Sequence, residues 1–372
     1  MKTWLSPRLI VALVLLAAAG TCEVARERRP TYLRPGTHLN AYIGNSADGT
    51  ISVVDLAKLA TVATVPVGPG PACLLANPAR DEVWGVSSGG GYAWVLETTT
   101  NRVTRIPVGP QPAALDFSPD GRLAYVDCAG SGAVVAIDCV TRQVVARGRA
   151  GRHPSNLRVT PDGRLVLVAN RDDASVSLLD ATTLAPQATL PVAPQPSGII
   201  VLPDSSKAFV ASATTDVISV LRLKPPTVLA RLASGGRADA LLLKPDGGEA
   251  YVLSSGTHGL TVIDTWTNEV GDFALLGADP AGGAVSSDGT RLYACDAAAA
   301  RVTVVDLTYR QLIGSASTGQ RPVVCRLDPE QKLVLAADEE SDDLAVIDLQ
   351  GPHLVTLIPV GKAPDSLAMK LY

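Results

Sequence analysis

PSNLRVTPDGRLVLVANRDDASVSLLDATTLAPQATLPV, residues 154–192, decides the fold. It holds four short runs rich in Val, Leu, Ile or Thr: PSNLRVT (154–160), RLVLVAN (164–170), SVSLLD (175–180) and PQATLPV (186–192). Branched aliphatic residues suit a pleated, half-buried strand, and the Pro, Gly, Asp and Asn around the runs suit turns. Thr160-Pro161-Asp162-Gly163 joins the first two runs; proline presets φ at the second turn position and glycine suits the fourth. The same device recurs as Ser118-Pro119-Asp120-Gly121 and Lys244-Pro245-Asp246-Gly247.

Outward from this unit the chain repeats. A carboxylate closes an apolar run at Asp55, Glu97, Asp138, Asp180, Asp264, Asp306 and Asp348, with Arg222 in the missing slot; the successive intervals are 42, 41, 42, 42, 42, 42 and 42. First strands start at Pro71, Pro112, Pro154, Pro196, Ala238, Pro280, Pro322 and Pro364. The repeat begins on a second strand, Ala41 to Asn45, and ends on a first strand, Pro364 to Tyr372, so the two ends complete one unit. Four antiparallel strands per unit of this length make a propeller blade. The reading is an all-β, eight-bladed propeller closed by pairing the C-terminal strand with N-terminal ones, with seven blades as the alternative count.

The chain has 372 residues, 47% hydrophobic and 18% charged, with 33 Gly and 27 Pro, so it can bury a large core and is punctuated by turns. A net charge of -4 removes the basic balance that nucleic acid would call for. At the N-terminus, Lys2 and Arg8 precede an apolar run from Leu9 to Ala19, the form of a secretory leader over residues 1–22. Two ends of that leader compete: an A-x-A site at Ala17 and Ala19, and a lipobox-like Ala19-Gly20-Thr21-Cys22 in which Cys22 carries a lipid. Residues 23–39 are polar, basic and Pro-containing, a tether, and 40–372 form a single domain. Export to the periplasm or cell surface is expected.

AYIGNSADGTISVVDL (41–56), LVLVANRDDASVSLLDATTL (165–184), YVLSSGTHGLTVIDTWTNEV (251–270) and the IPVG segments at 106–109 and 358–361 resemble the YVTN family of β-propeller repeats. That resemblance implies extracytoplasmic or cell-surface binding and scaffolding without assigned chemistry. The family commonly forms seven blades, and its signature Asn is kept here only at Asn45 and Asn170.

The repeat also weighs each unusual residue. Cys73, Cys128, Cys139, Cys295 and Cys325 all share their slots with small or apolar residues and read as packing. The repeated carboxylate reads as a turn device, because Asp at a strand end bonds the next amides. More informative is the connection from each fourth strand to the next first strand, which lies at the channel mouth. There Arg152, Arg237, Arg321 and Lys362 face one acid, Asp279, alongside His153, Gln111 and Gln195. These cations predict a site for an anionic ligand or acidic partner segment, against the plainer reading of a solvated loop. The acidic turn Asp338 to Asp343 reads as a solvated run or a Ca²⁺ site, and Asp116 with Arg158 as a channel-side ion pair.

The leading reading is a non-enzymatic binding or scaffold protein, monomeric, with a protein partner or small anionic ligand and no cofactor. Its rivals are a lactonase-like hydrolase, using Asp116, Asp239 and Asp365 in the tunnel, and a haem-d1-type handler with His153 as axial ligand and His258 behind it.

Overall fold

The computed structural model describes residues 39–371. The leader, Cys22 and the tether up to residue 38 lie outside them. Thirty-two strands form eight four-stranded antiparallel sheets. Numbered by innermost strand, the blades carry Pro71–Ala76, Pro112–Phe117, Pro154–Val159, Pro196–Val201, Ala240–Leu243, Pro280–Val285, Pro322–Leu327 and Pro364–Leu371. Each innermost strand packs against the next, and that of blade 8 against that of blade 1, so the ring is closed. Blade 8 is the composite one: Leu39–Asn45 pairs antiparallel with Pro364–Leu371, from Leu39 opposite Leu371 to Asn45 opposite Pro364. Leu39, placed in the tether by the sequence, is already a buried strand residue.

Burial follows position within a blade. Second and third strands, such as Leu165–Asn170 and Ser175–Asp180, are almost wholly buried because neighbouring blades cover both their faces. Outermost strands alternate, as in Gln143–Arg149, since only one face is covered. The core therefore sits between blades. Trp84 of blade 1 meets Phe117 of blade 2 edge to face, with centroids 5.9 Å apart at 85°. Burying each such large side chain contributes roughly 1.5–3 kcal/mol.

The expected turns form. Gly163 N donates to Thr160 O at 2.8 Å, and Gly163 adopts φ +69°, which glycine tolerates without a Cβ penalty. Repeated carboxylates cap the turns after third strands: Asp138 Oδ1 accepts from the amides of Val140 and Thr141, and Asp180 and Asp264 repeat the pattern. Those amide bonds hold all three carboxyls below the usual range. No disulfide joins the described cysteines. One detail departs from the expected plan, for blade 5 begins its first strand at Ala240 rather than Ala238. There Asp239 N donates to Leu253 O, and its side chain bonds Ser255 N and Oγ, both at 2.6 Å.

A buried charge cluster ties blade 1 to blade 2. Arg142 reaches Glu82 at 3.2 Å, Glu97 at 3.0 Å and Thr104 Oγ1 at 2.7 Å, while Trp84 Nε1 also donates to Glu82 at 3.0 Å. Arg142→Met leaves the buried Glu82 with Arg80 and Trp84 as its donors, so we expect a loss of about 2 kcal/mol. Urea unfolding checks this: the midpoint falls for the single variant and returns most of the way with Glu82→Gln added. An unchanged midpoint in Arg142→Met would show that the cluster contributes nothing.

Candidate functional site

One face of the ring is built from the connections between blades and the turns between second and third strands, stitched by backbone bonds. Ser88 N donates to Gly70 O at 3.1 Å, Ala129 N to Gln111 O at 2.8 Å, Arg171 N to His153 O at 3.0 Å, and Ala213 N to Gln195 O at 2.9 Å. Ala297 N to Asp279 O and Glu339 N to Arg321 O repeat the stitch. To present that carbonyl just before a proline, Gln111, His153 and Gln195 each take φ +50° and Arg321 takes φ +57°. The structure thus gathers the mouth residues expected from the sequence on a single face.

Their electrostatics differ from expectation. Arg152 Nε lies 2.6 Å from Asp173 Oδ1, Arg321 Nε 2.7 Å from Glu339 Oε2, and Arg237 Nη2 3.0 Å from Asp239 Oδ1. Asp48 accepts from Lys362 N at 2.8 Å, and Asp172 Oδ2 sits 3.6 Å from His153 Nδ1. Three of the four mouth cations are paired with carboxylates, while Lys362 is held to Asp48 by its backbone amide, with no carboxylate within 4.0 Å of its ammonium among the described residues. Counting the connections alone finds one counter-charge; the stitched turns and Asp239 bring the others. Pairs this exposed are screened by water and hold weakly, so they can open.

His153 stands at the wall between two cavities. One, of about 820 Å³, is lined by Ala72, Gln111, Pro112, Ala113, Ala129 and His153 with the glycine turn 88–91. The other, of about 520 Å³, holds Arg149, Arg152, His153, Asp172 and Asp173. The His153 side chain is 47% exposed, and its one close polar neighbour is Asp172 at Nδ1. At 3.6 Å that contact is an ion-pair distance and not a hydrogen bond, and among the described residues neither ring nitrogen makes one. His258 is exposed, with Nδ1 2.6 Å from Ala278 O. A cavity on the opposite face, of about 480 Å³, is lined by Asp120, Asp138 and Asp162, whose carboxylates are engaged in their own turns.

Sequence reasoning missed Asp127. It is fully buried on the second strand of blade 2, where its slot holds Gly44, Val86, Ala169, Ala211, Leu253, Cys295 and Ala337 in the other blades. Asp127 Oδ1 accepts from Ala113 N at 3.3 Å and Ala114 N at 2.7 Å, pinning the cavity wall, while Oδ2 has no hydrogen-bond partner. Burial pushes this carboxyl up to about 7. The slot comparison alone would have found it.

The tunnel carboxylates do not converge. Asp116 accepts from Phe117 N and Val159 N, both at 2.9 Å, while Arg158 Nη1 donates to Leu157 O, so the expected ion pair is not made directly. Asp239 serves Ser255 and Arg237, and Asp365 serves Ser366. Among the described residues no group of three or more His, Cys, Asp or Glu is placed to hold a metal ion.

Comparisons with known proteins agree with this architecture. Residues 100–225, about a third of the chain and including His153, match the model of the Cytochrome D1 heme domain. No curated protein matches. Among solved structures, hydrazine synthase of Kuenenia stuttgartiensis is similar at 21% identity and TM-score 0.61, over 75% of this chain and 96% of that one. Dihydro-heme d1 dehydrogenase NirN in complex with DHE is similar at 16% identity and TM-score 0.73, over 88% and 74%. A functionally unknown protein from Desulfotomaculum acetoxidans is similar at 16% identity and TM-score 0.63, over 78% and 99%. At such identities the likeness is one of fold: this chain is an eight-bladed β-propeller, and over blades 2 and 3 with parts of blades 1 and 4 its sequence is similar to the Cytochrome D1 heme domain.

Proposed function

We propose that this chain is an exported binding propeller that holds a tetrapyrrole of the haem d1 class in the mouth cavity beside His153, as a handler and not as a catalyst. The observation that carries the reading is His153 itself: a half-exposed imidazole on the wall of the 820 Å³ cavity, inside the span that matches the Cytochrome D1 heme domain. The donor set fits such a group. Ala72, Ala113 and Ala129 leave an apolar wall for a flat ring, and a cavity of this size suits a ligand of several hundred Å³. When bound, an iron tetrapyrrole would supply a redox-active metal. His153 would ligate it, with the Asp172 carboxylate beside the imidazole, and Asp127 would keep the wall in place. Gln111, Gln195, Arg152, Arg237, Arg321 and Lys362 would form a polar rim for acidic side groups of the ring. The YVTN-like wording of the repeat belongs to the blades in this reading, and the leader with Cys22 would put the propeller outside the cytosol.

Absorbance titration with ferric protohaem and with extracted haem d1 tests this. We expect one equivalent to bind with a shifted Soret band, His153→Ala to weaken binding by about tenfold or more, and His258→Ala to leave it unchanged. An identical titration in His153→Ala, or no shift with either haem, would sink the proposal.

A further inference from the structure

One level of the innermost strands runs as a ring through Leu75, Asp116, Arg158, Ile200, Leu242, Ala284, Arg326 and Ala368, its aliphatic members packed into the seams between blades. Innermost strands are flanked on both sides by other innermost strands, so whatever exposure these side chains have is exposure to the bore. Arg158 is half-buried and Arg326 exposed. They belong to blades 3 and 7 of eight, directly across the ring from each other at the same level. We propose that these two arginines bind the ends of a linear dicarboxylate lying across the bore.

Each guanidinium uses one donor on its own strand: Arg158 Nη1 bonds Leu157 O at 3.1 Å and Arg326 Nη1 bonds Cys325 O at 3.0 Å. Five N–H donors per guanidinium leave most of each fork unspent, and no carboxylate comes within 4.0 Å of either among the described residues. Asp116, the acid of the ring, has committed both oxygens to the amides of Phe117 and Val159 and acts on Arg158 through charge attraction without a direct bond. Toward the mouth, Asp239 and Asp365 are engaged with Arg237, Ser255 and Ser366; at the other end Lys370 Nζ bonds Asn77 O at 2.8 Å. The rest of the ring is aliphatic, so a charged group at each side with a methylene stem between matches it. Walls of low dielectric strengthen such contacts, and guanidinium forks suit carboxylates.

This site is separate from the mouth cavity and does not rest on the tetrapyrrole reading. Calorimetry on cofactor-free full-length protein, at low salt, with the linear dicarboxylates from succinate to suberate, the matching monocarboxylates and inorganic phosphate is the test. We expect one chain length to bind best, with Arg158→Gln and Arg326→Gln each weakening it about tenfold or more and the mouth variant Arg237→Gln leaving it unchanged. Monocarboxylates should bind about tenfold more weakly. Arg158→Lys and Arg326→Lys keep charge and fold while losing the fork, so intermediate affinity supports the geometry. Equal affinity in the Arg158→Gln/Arg326→Gln double variant overturns the proposal. So does phosphate binding in preference to every dicarboxylate, or no saturable binding of any probe to about 10 mM.

Discussion

Deleting residues 364–372 is expected to make the chain aggregate. The deleted segment supplies the innermost strand of blade 8, whose register partners run from Leu39 to Asn45. Without it, the Leu39–Asn45 strand keeps Thr50–Asp55 on one side and presents its other edge, fully buried in the intact protein, to water. Ala368 also leaves the seam between blades 8 and 1, where Tyr42, Leu74 and Trp94 pack, and the buried Leu367 is lost with it. Losing one such large apolar contact costs about 2–5 kcal/mol, and this deletion removes several at once together with a whole ladder. The exposed edge is a template for pairing with a second copy, which is why closed rings have none to spare. Light scattering and thermal melts of the truncated protein check the outcome. A truncated chain that stays monomeric with an unchanged melting temperature would show that closure contributes little.

Closure was legible because the repeat has a fixed phase: a chain that begins on a second strand and ends on a first has to share a blade. Turn chemistry was legible for the same reason, since Asp55, Asp138 and Asp264 recur at one offset and the residue type has one local use there. The mouth was legible as a set of positions and illegible as a field. Asp173 and Glu339 lie 21 and 18 residues from their partners Arg152 and Arg321, and their pairing follows from backbone stitching that no spacing reveals. Arg326 escaped notice because its meaning comes from Arg158, four blades away. Asp127 sits inside an apolar strand, where a carboxylate reads as noise until the same slot in seven other blades is laid beside it.

Two buried carboxylates should make the protein more stable at pH 5 than at pH 8. Burial pushes Asp127 up to about 7, and burial together with the neighbouring Asp343 pushes Asp338 up to about 8. Below about pH 4 folded and unfolded chains both carry these protons, so burial of the acids costs nothing. As pH rises from there to the folded value, the unfolded chain releases a proton that the folded chain keeps, and stability falls; above the folded value the curve flattens. For Asp127 the whole change is on the order of 4 kcal/mol. Asp138, Asp180 and Asp264, held low by turn amides, act oppositely below about pH 4, which leaves the optimum on the mildly acidic side. Asp127→Asn keeps an oxygen for the Ala113 and Ala114 amides and cannot ionise, so it should melt higher than wild type at pH 8 by roughly 5 °C and match it at pH 4.5. Asp338→Asn has a precedent within the chain. Asn170, in the same slot, donates Nδ2 to Ser175 Oγ at 3.0 Å and Ser177 Oγ at 2.9 Å. In blade 7 the first of those positions is Asp343, whose carboxyl lies against that of Asp338, with a buried oxygen on each that no other group serves. An amide there donates to Asp343 and still accepts from Gly319 N, as Asp338 Oδ2 does at 2.9 Å. Melting temperatures of wild type and both variants between pH 4.5 and 8.5 decide the matter: a flat wild-type profile, or variants that melt lower at pH 8, would mean that these acids are not carried as buried neutral groups.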